Sequence, residues 1–316
     1  MGMEDIQGHL YRMIDTYMYD EDFKSLLIAC LADQESSSHA WSKITLSTHA
    51  MLGGVSPHIY RRAALTELLI LILDMVDDLQ DRDSVSKPWM QVPLASALNA
   101  VLAFVAGAIA ELGELGIRDH ILAEVGKILA RSVCGQHKDV VNSVTTPDEY
   151  LVMTQEKSGS LFRLACYMGY AGESCSPENV ERLHQLADCL GLIHQIQNDM
   201  RDLVRFDEKS DLLARKKTLP ILYLLSIEDE AFAQLKAYYA GELSAEFLGR
   251  EREAVLQIIH DSGCLEYARI VQSVCVQKAE EIYQELDAQS PWKERFRQIA
   301  WGDYAACAEE SAQAEA

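Results

Sequence analysis

Six consecutive aliphatic side chains, Leu68-Leu69-Ile70-Leu71-Ile72-Leu73, run directly into Asp74 and then into Asp77-Asp78-Leu79-Gln80-Asp81. A helix that is apolar on every side has to be buried, so this segment carries its carboxylates into the protein rather than onto its surface. Residues three and four apart share a helical face, which projects Asp77, Asp78 and Asp81 together, with Asp74 one turn earlier. Carboxylates crowded on one face repel each other. Hard divalent ions are their natural neutraliser, and Mg2+ in particular takes a few carboxylates and completes its shell with water and phosphate oxygens.

A second cluster, Asn198-Asp199-Met200-Arg201-Asp202, closes another periodic stretch, Val180 to Asp202, whose Leu183, Leu186, Leu190, Ile193 and Gln197 mark one inward face. In a chain of net charge -21, either cluster alone reads as a solvated acidic helix end. Two of them, each ending a helix-like run, suggest a paired magnesium-diphosphate site.

The 316 residues are 49% apolar with only 17 glycines and 7 prolines, which fits an ordered, all-α protein with a sizeable core. Short linkers near Ala171-Gly172-Glu173, Asp207-Glu208-Lys209-Ser210 and Asp261-Ser262-Gly263 mark no domain joint, so residues 1–316 are expected to form one domain, frayed from about residue 309. The acidic balance disfavours nucleic acid and anionic membranes as partners. Eight cysteines without a C-x-x-C pair read as buried thiols of a cytoplasmic protein, and the acidic N-terminus lacks the features of a signal peptide. Leu94 to Ala110, interrupted by Ser96, Asn99 and Gly107, is expected to be a core helix and not a transmembrane segment.

Helix starts are written plainly. Ser56-Pro57, Thr146-Pro147-Asp148-Glu149 and Ser176-Pro177-Glu178 each pair an N-cap residue with proline in the first turn, and the second is a capping box. Further helices are expected at Leu219 to Leu225, Ala245 to Ile259 and Leu265 to Leu286, with no alternating strand pattern in competition.

Over nearly its whole length the chain resembles the trans-polyprenyl diphosphate synthases. The family's first D-D-x-x-D motif is matched by Asp77, Asp78 and Asp81, and its second by Asp199 and Asp202, with Asn198 replacing the first aspartate and Gln195 and Gln197 before it. Gly135-Gln136-His137-Lys138-Asp139 resembles G-Q-x-x-D, Lys157-Ser158 resembles a Lys-Thr pair that reaches the allylic diphosphate, and Lys216-Lys217-Thr218-Leu219-Pro220 resembles K-K-T-L-P. The resemblance implies a helical bundle around a central cavity and an allylic prenyl diphosphate ionised with the help of two to three Mg2+ ions. It implies Asp77, Asp78, Asp81, Asn198, Asp199 and Asp202 as metal ligands. Lys157 and Lys217 are expected to stabilise the leaving diphosphate. Asp74, Gln136, Asp139, Ser158, Gln195, Arg201 and Lys216 are expected to contact substrate, and Ile72 and Leu73 to line the prenyl cavity. A homodimer is the family's usual assembly.

The departures from that pattern concern the acceptor. Gly53-Gly54 is followed by Val55-Ser56-Pro57 where synthases carry Lys-Arg-x-Arg, Val76 precedes the first motif, and Arg82-Asp83-Ser84 follows it instead of Arg-Arg-Gly. These are the groups that serve isopentenyl diphosphate. A donor site without its usual acceptor site resembles one branch, the ComQ-type isoprenyltransferases that modify a tryptophan of a quorum-sensing pheromone precursor. Asp74, Asp77 to Asp83, Trp89-Met90, Ser96 to Ala100, Gly135-Gln136-His137 and Gly302-Asp303 carry that likeness. It implies a farnesyl or geranyl donor and a precursor peptide as acceptor. The alternatives are a short-chain prenyl diphosphate synthase or terpene cyclase, and a non-catalytic subunit of a heteromeric synthase.

Other residues have plainer readings. Asn198 is an acceptable hard-oxygen ligand, or a mark of weak metal binding. His137 and His194 read as hydrogen-bonded core or rim groups ahead of catalytic ones, Glu181-x-x-His184 as surface decoration ahead of half a di-iron motif, Arg61-Arg62 as a solvated helix face ahead of a replacement for the missing upstream basic site, and Trp89 as either cavity wall or helix-start core.

Overall fold

The computed structural model describes residues 3–35, 40–82, 84–205 and 211–314. The linker at 207–210 and Asp83 lie outside them, as do the side chains of Asp303 and Cys307. Fifteen α-helices account for most of this length, and no strand occurs among the described residues. They are α1 Met3–Tyr17, α2 Glu21–Glu35, α3 Ala40–Met51, α4 Ile59–Asp81, α5 Leu94–Glu114, α6 Asp119–Val140, α7 Pro147–Thr154, α8 Ser160–Tyr170 and α9 Pro177–Leu203. The C-terminal third adds α10 Leu219–Ser226, α11 Ala233–Tyr239, α12 Ala245–Arg250, α13 Arg252–Asp261, α14 Cys264–Glu285 and α15 Trp292–Ala314.

The central helices are α4, α8 and α9. From Ala63 to Ile72 every side chain of α4 is buried, as an all-round apolar helix requires. One large core joins α1 to α9 with α14 and the first turns of α15, and a smaller one gathers Leu203, Leu212, Ile221, Leu235 and Leu248.

Capping explains where two of these helices begin. Thr146 accepts from Glu149 N at 3.2 Å while the Glu149 carboxylate reaches back to Thr146 N at 3.3 Å, and Ser176 Oγ accepts from Asn179 N at 3.1 Å. At Ser56-Pro57 the expectation fails. Ser56 Oγ only closes a turn on His58 N, and α4 starts at Ile59. The single helix expected over Ala245 to Ile259 is two, α12 and α13, and α15 stays helical past residue 309, with a kink at Trp301.

Helix α5 is buried on only one side. Ala97, Ala100, Val101, Phe104 and Ala108 pack inward, whereas Leu94, Leu98, Leu102 and Ile109 are exposed. By length and composition it is also long and apolar enough to cross a membrane, and the expected core helix is buried on one face alone. Among the cysteines, Cys30, Cys166, Cys189, Cys264 and Cys275 are buried free thiols, but Cys134 is exposed.

Candidate active site

The C-terminal ends of α4 and α9 bring the two acidic clusters into the lining of one cavity of about 230 Å3. Asp77, Asp78, Asp81, Asn198, Asp199 and Asp202 all line it, together with Asp139, Gln195, Arg201, Lys216 and Lys217. In α4 each carboxylate of the triplet has its own donor. Trp89 Nε1 donates to Asp78 Oδ2 at 3.0 Å, Lys157 Nζ to Asp77 Oδ1 at 3.2 Å, and Lys216 Nζ to Asp81. Lys157 also donates to Asp139 Oδ2 at 2.7 Å, tying α6 to α4 through one ammonium.

The second cluster is held differently. The Tyr150 hydroxyl donates to Asp199 Oδ2 at 2.5 Å, and Gln195 Nε2, one turn earlier on α9, to Asp199 Oδ1 at 2.8 Å. Asp202 is gripped by Arg201 through two N–H groups at 2.9 and 3.1 Å. Lys217 Nζ reaches the Asn142 carbonyl at 3.4 Å, so of the two neighbouring lysines it is Lys216 that meets the first acidic cluster.

Lys157 and Ser158 lie in a π-helical turn, Gln155–Gly159, between α7 and α8. Such turns widen the helix by one residue, which changes the direction of the side chains they carry and releases carbonyls from the α-helical ladder. Here Arg131 donates to Gln155 O at 2.8 Å and Ser132 Oγ to Lys157 O at 3.0 Å. Glycines make room for the bulge. A Cβ on Gly135 would stand 2.3 Å from Lys157 N, and one on Gly191 would stand 2.3 Å from Gly159 N. Gly135 of the G-Q-x-x-D segment is therefore required by the backbone that delivers Lys157. Ser158 Oγ donates in turn to Gln195 Oε1 at 2.9 Å.

Burial governs the electrostatics. It pushes the Asp74 carboxyl up to about 7, reinforced by Asp77 and Asp78 beside it, and Asp199 up to about 6, against the hydrogen bonds from Tyr150 and Gln195. Asp211 is raised to about 8 by burial and by nearby Asp199. Asp81 is also raised by burial, in spite of Lys216. Burial works against the charge of Lys157 and Lys216, but Asp139 with Asp77 outweighs it for the former and Asp139 with Asp81 for the latter, so both stay firmly cationic. Those two lysines in turn hold Asp139 low in spite of its burial.

A larger cavity, about 660 Å3, opens from the acidic one and shares Asp77, Lys157, Gln195 and Asn198 with it. Leu73, Asp74, Val76 and Gln80 of α4 line one wall together with Ser132, Val133, Gln136 and Val140 of α6. Gln136 Nε2 donates to Gln80 Oε1 at 2.9 Å, while its Oε1 is buried without a hydrogen-bond partner. Trp41 and Ile44 of α3, Leu161 and Phe162 of α8, His194 of α9 and Ile299 of α15 complete the lining. This is the size of a small-ligand pocket and suits an apolar chain.

Most of the residues expected at the site therefore meet there, and Ile72 is the correction. Leu73, Val76, Asp77 and Gln80 follow the i, i+3, i+4, i+7 stripe, and Ile72 sits about 100° away, 7% exposed in the main core. Arg61 and Arg62 are half-buried and line neither cavity. Arg61 pairs with Glu111 at 2.7 Å, and Arg62 donates to Ala171 O at 2.5 Å. Trp89 is core, 1% exposed, with its ring nitrogen on Asp78. The sequence reading missed Tyr150, Asp211 and Thr218, which all line the acidic cavity. Asp211 is hard to tell in sequence from the neighbouring Asp207 and Glu208, and Tyr150 looks like any core aromatic.

The donors fit Mg2+. Carboxylate and amide side chains line the small cavity together, and Thr218 Oγ1 among them is buried without a hydrogen-bond partner. Among the described residues no three His, Cys, Asp or Glu side chains converge to cage an ion unaided.

Residues 42–249 match the family model for polyprenyl synthetase, and the chain belongs to that family. It is a prenyltransferase. It is 26% identical over 294 residues to the tryptophan prenyltransferase ComQ of Bacillus subtilis (strain 168), covering 90% of this chain and 94% of that one. A short chain isoprenyl diphosphate synthase of Methanocaldococcus jannaschii is 30% identical over 202 residues, 59% of this chain and 62% of that protein. In fold, the chain is similar to a geranylgeranyl pyrophosphate synthase from Corynebacterium glutamicum complexed with calcium and isoprenyl diphosphate, at a TM-score of 0.75 and 21% identity, covering 94% of this chain and 92% of that one.

Proposed function

We propose that this chain is a Mg2+-dependent isoprenyltransferase that moves a farnesyl or geranyl group from an allylic diphosphate to a tryptophan of a quorum-sensing precursor peptide. One observation carries the reading. Among the described residues lining the 660 Å3 cavity, Lys157 is the single Lys or Arg, and it already faces Asp77 and Asp139. A second diphosphate on the acceptor would be buried there without a cation, at a cost no site bears for a substrate. An uncharged acceptor ring has no such requirement. The likeness to ComQ over most of both chains supports the same conclusion.

In the reaction, the C1–O bond of the allylic diphosphate breaks and its electron pair leaves with the diphosphate. C3 of the indole then bonds to C1 of the prenyl group through its C2–C3 π pair, and the resulting iminium ion becomes neutral when the ring N–H gives its proton to water or to the released diphosphate. When bound, Mg2+ would supply positive charge to the departing oxygens, with Asp77, Asp78, Asp81, Asn198, Asp199 and Asp202 available to hold it. Lys157 and Lys216, fixed by their carboxylates, contribute donors already aimed where charge develops. Leu73, Val76 and Val140 keep water from the prenyl chain.

The reading is tested by incubating the protein with farnesyl or geranyl diphosphate, Mg2+ and a precursor peptide containing one tryptophan. A prenyl mass gain that disappears when the peptide tryptophan becomes phenylalanine supports it. Longer prenyl diphosphates, formed only with isopentenyl diphosphate, would instead establish the synthase reading that the Methanocaldococcus relative favours.

The exposed stripe Leu94, Leu98, Leu102 and Ile109 on α5 supports a homodimer, since a row of large aliphatics on one face of a helix is unfavourable in water. Leu102→Glu should yield a monomer in sedimentation velocity, and an unchanged species would exclude this face.

A further inference from the structure

Asn142 follows Val141, the C-cap of α6, and takes the left-handed conformation, φ 51°, with its N–H donating to Asp139 O at 2.9 Å. Its side chain is thereby turned away from the helix and reaches a distant loop. Nδ2 donates to Arg215 O at 2.9 Å, and Oδ1 accepts from Lys217 N at 3.2 Å. Those two atoms belong to the peptide groups on either side of Lys216. The Asn142 carbonyl also accepts from Lys217 Nζ at 3.4 Å, whereas Lys216 Nζ donates to Asp81.

The grip matters because Lys216 to Thr218 belong to no helix or strand, so no regular ladder fixes their course between the turn at 211–215 and α10. Lys216 N donates to Asp211 O at 2.9 Å, and its carbonyl accepts from the Tyr239 hydroxyl at 3.3 Å. With Asn142 on the two flanking groups, the backbone on both sides of Lys216 is held. A lysine carries its charge on a flexible four-carbon stem, so where its ammonium stands depends on how firmly its backbone is held. Donors fixed before charge develops are the ones that stabilise a transition state without reorganising. Asparagine suits the task because its amide offers a donor and an acceptor together, and because it tolerates the left-handed conformation.

We propose that Asn142 is a positioning residue for diphosphate departure, presenting Lys216 to Asp81 by gripping the peptide groups on both sides of it. The proposal rests on the reading of the acidic cavity as the diphosphate site and holds for any acceptor. Asn142 itself lines neither cavity, so its effect passes through the loop.

The test is a double-mutant cycle of Asn142→Gly with Lys216→Met, read as diphosphate release from farnesyl diphosphate in the presence of Mg2+ and the single-tryptophan peptide. Glycine keeps the left-handed backbone and removes both side-chain hydrogen bonds. Alone it should lower kcat by about 10- to 100-fold, the scale of a catalytic group misplaced by up to about 1 Å, while the donor KM moves less than about threefold. In the Lys216→Met background the same change should lower kcat less than about twofold, because no ammonium is left to misplace. Equal losses in both backgrounds would reduce Asn142 to a structural residue, and an unchanged kcat in Asn142→Gly would show that Lys216 needs no such grip; either result overturns the proposal. Should the glycine variant fail to fold, Asn142→Asp replaces it in the cycle. Aspartate also tolerates the left-handed conformation but cannot donate to Arg215 O, and its smaller loss should likewise vanish without Lys216. Diphosphate release with the peptide left unmodified would overturn the acceptor reading and leave the cycle readable, whereas no release by the wild type would overturn the diphosphate site and the role of Asn142 with it.

Discussion

Trp89 Nε1 lies 3.0 Å from Asp78 Oδ2, so a ring buried to 1% exposure ends in a hydrogen bond to the middle carboxylate of the first acidic motif. The short 3-10 turn Pro88–Met90 after α4 exists to bring that ring back under the helix end. Buried indoles need a partner for their N–H, and here the partner is Asp78, one of the carboxylates proposed to hold Mg2+.

Trp89→Phe keeps the ring and removes the donor. The expected result is a folded enzyme whose Mg2+ affinity or turnover falls by about 10- to 100-fold, the usual effect of losing a group that orients a metal ligand. Mg2+ titration of activity checks this. An unchanged midpoint would reduce Trp89 to packing alone.

Lys157 bridges Asp77 and Asp139 from a π-helical turn. Lys157→Met should lower kcat by about 10²- to 10³-fold, the size of one lost donor to developing charge, with a smaller change in the donor KM. A loss seen mainly in KM would mean that Lys157 binds the ground state and transition state equally.

Gly135→Ala tests the bulge itself, because the new methyl would stand 2.3 Å from Lys157 N. The backbone must move, and a cost of about 1 to 3 kcal/mol is expected from overpacking. Activity should fall further than that stability loss explains, since the displaced residue is Lys157. Thermal unfolding and kcat measured on the same preparation separate the two effects.

Asp74, Asp199 and Asp211 are held at about 7, 6 and 8 chiefly by burial, above the ordinary carboxylate value of about 4. A raised carboxyl pKa means that the folded state binds more protons than the unfolded one, so this stability is fully present below about pH 4 and is lost as pH rises through about 6 to 8. Without metal, the melting temperature should therefore fall over that range, and less steeply in Asp211→Asn. Mg2+ competes with those protons, so its stabilising effect should grow with pH. Melting curves in EDTA and in Mg2+ across the window decide it, and parallel profiles would contradict the reading.

Much of this was legible in the sequence because the strongest signals are local. The run from Leu68 to Leu73 dictates a buried helix, and the spacing of Asp77, Asp78 and Asp81 dictates a shared face. Thr146 and Ser176 cap as their motifs require, whereas Ser56 does not, since its hydroxyl closes a turn on His58 instead. What stayed hidden depends on tertiary approach. Nothing in Gln155–Gly159 announces a π-turn, because its cause lies in Gly135 and Gly191 on other helices. The direction of Ile72 follows from a one-residue choice of helical phase.

The proposed enzyme keeps the donor half of a prenyl synthase site while its acceptor half takes a ring instead of a second diphosphate. The most direct measurement is a competition in one vessel, with farnesyl diphosphate, Mg2+, isopentenyl diphosphate and a tryptophan-containing precursor peptide at equal concentration, and products resolved by mass spectrometry. Prenylated peptide should be the dominant product, formed at a rate independent of isopentenyl diphosphate. Chain-extended prenyl diphosphate with unmodified peptide would contradict it.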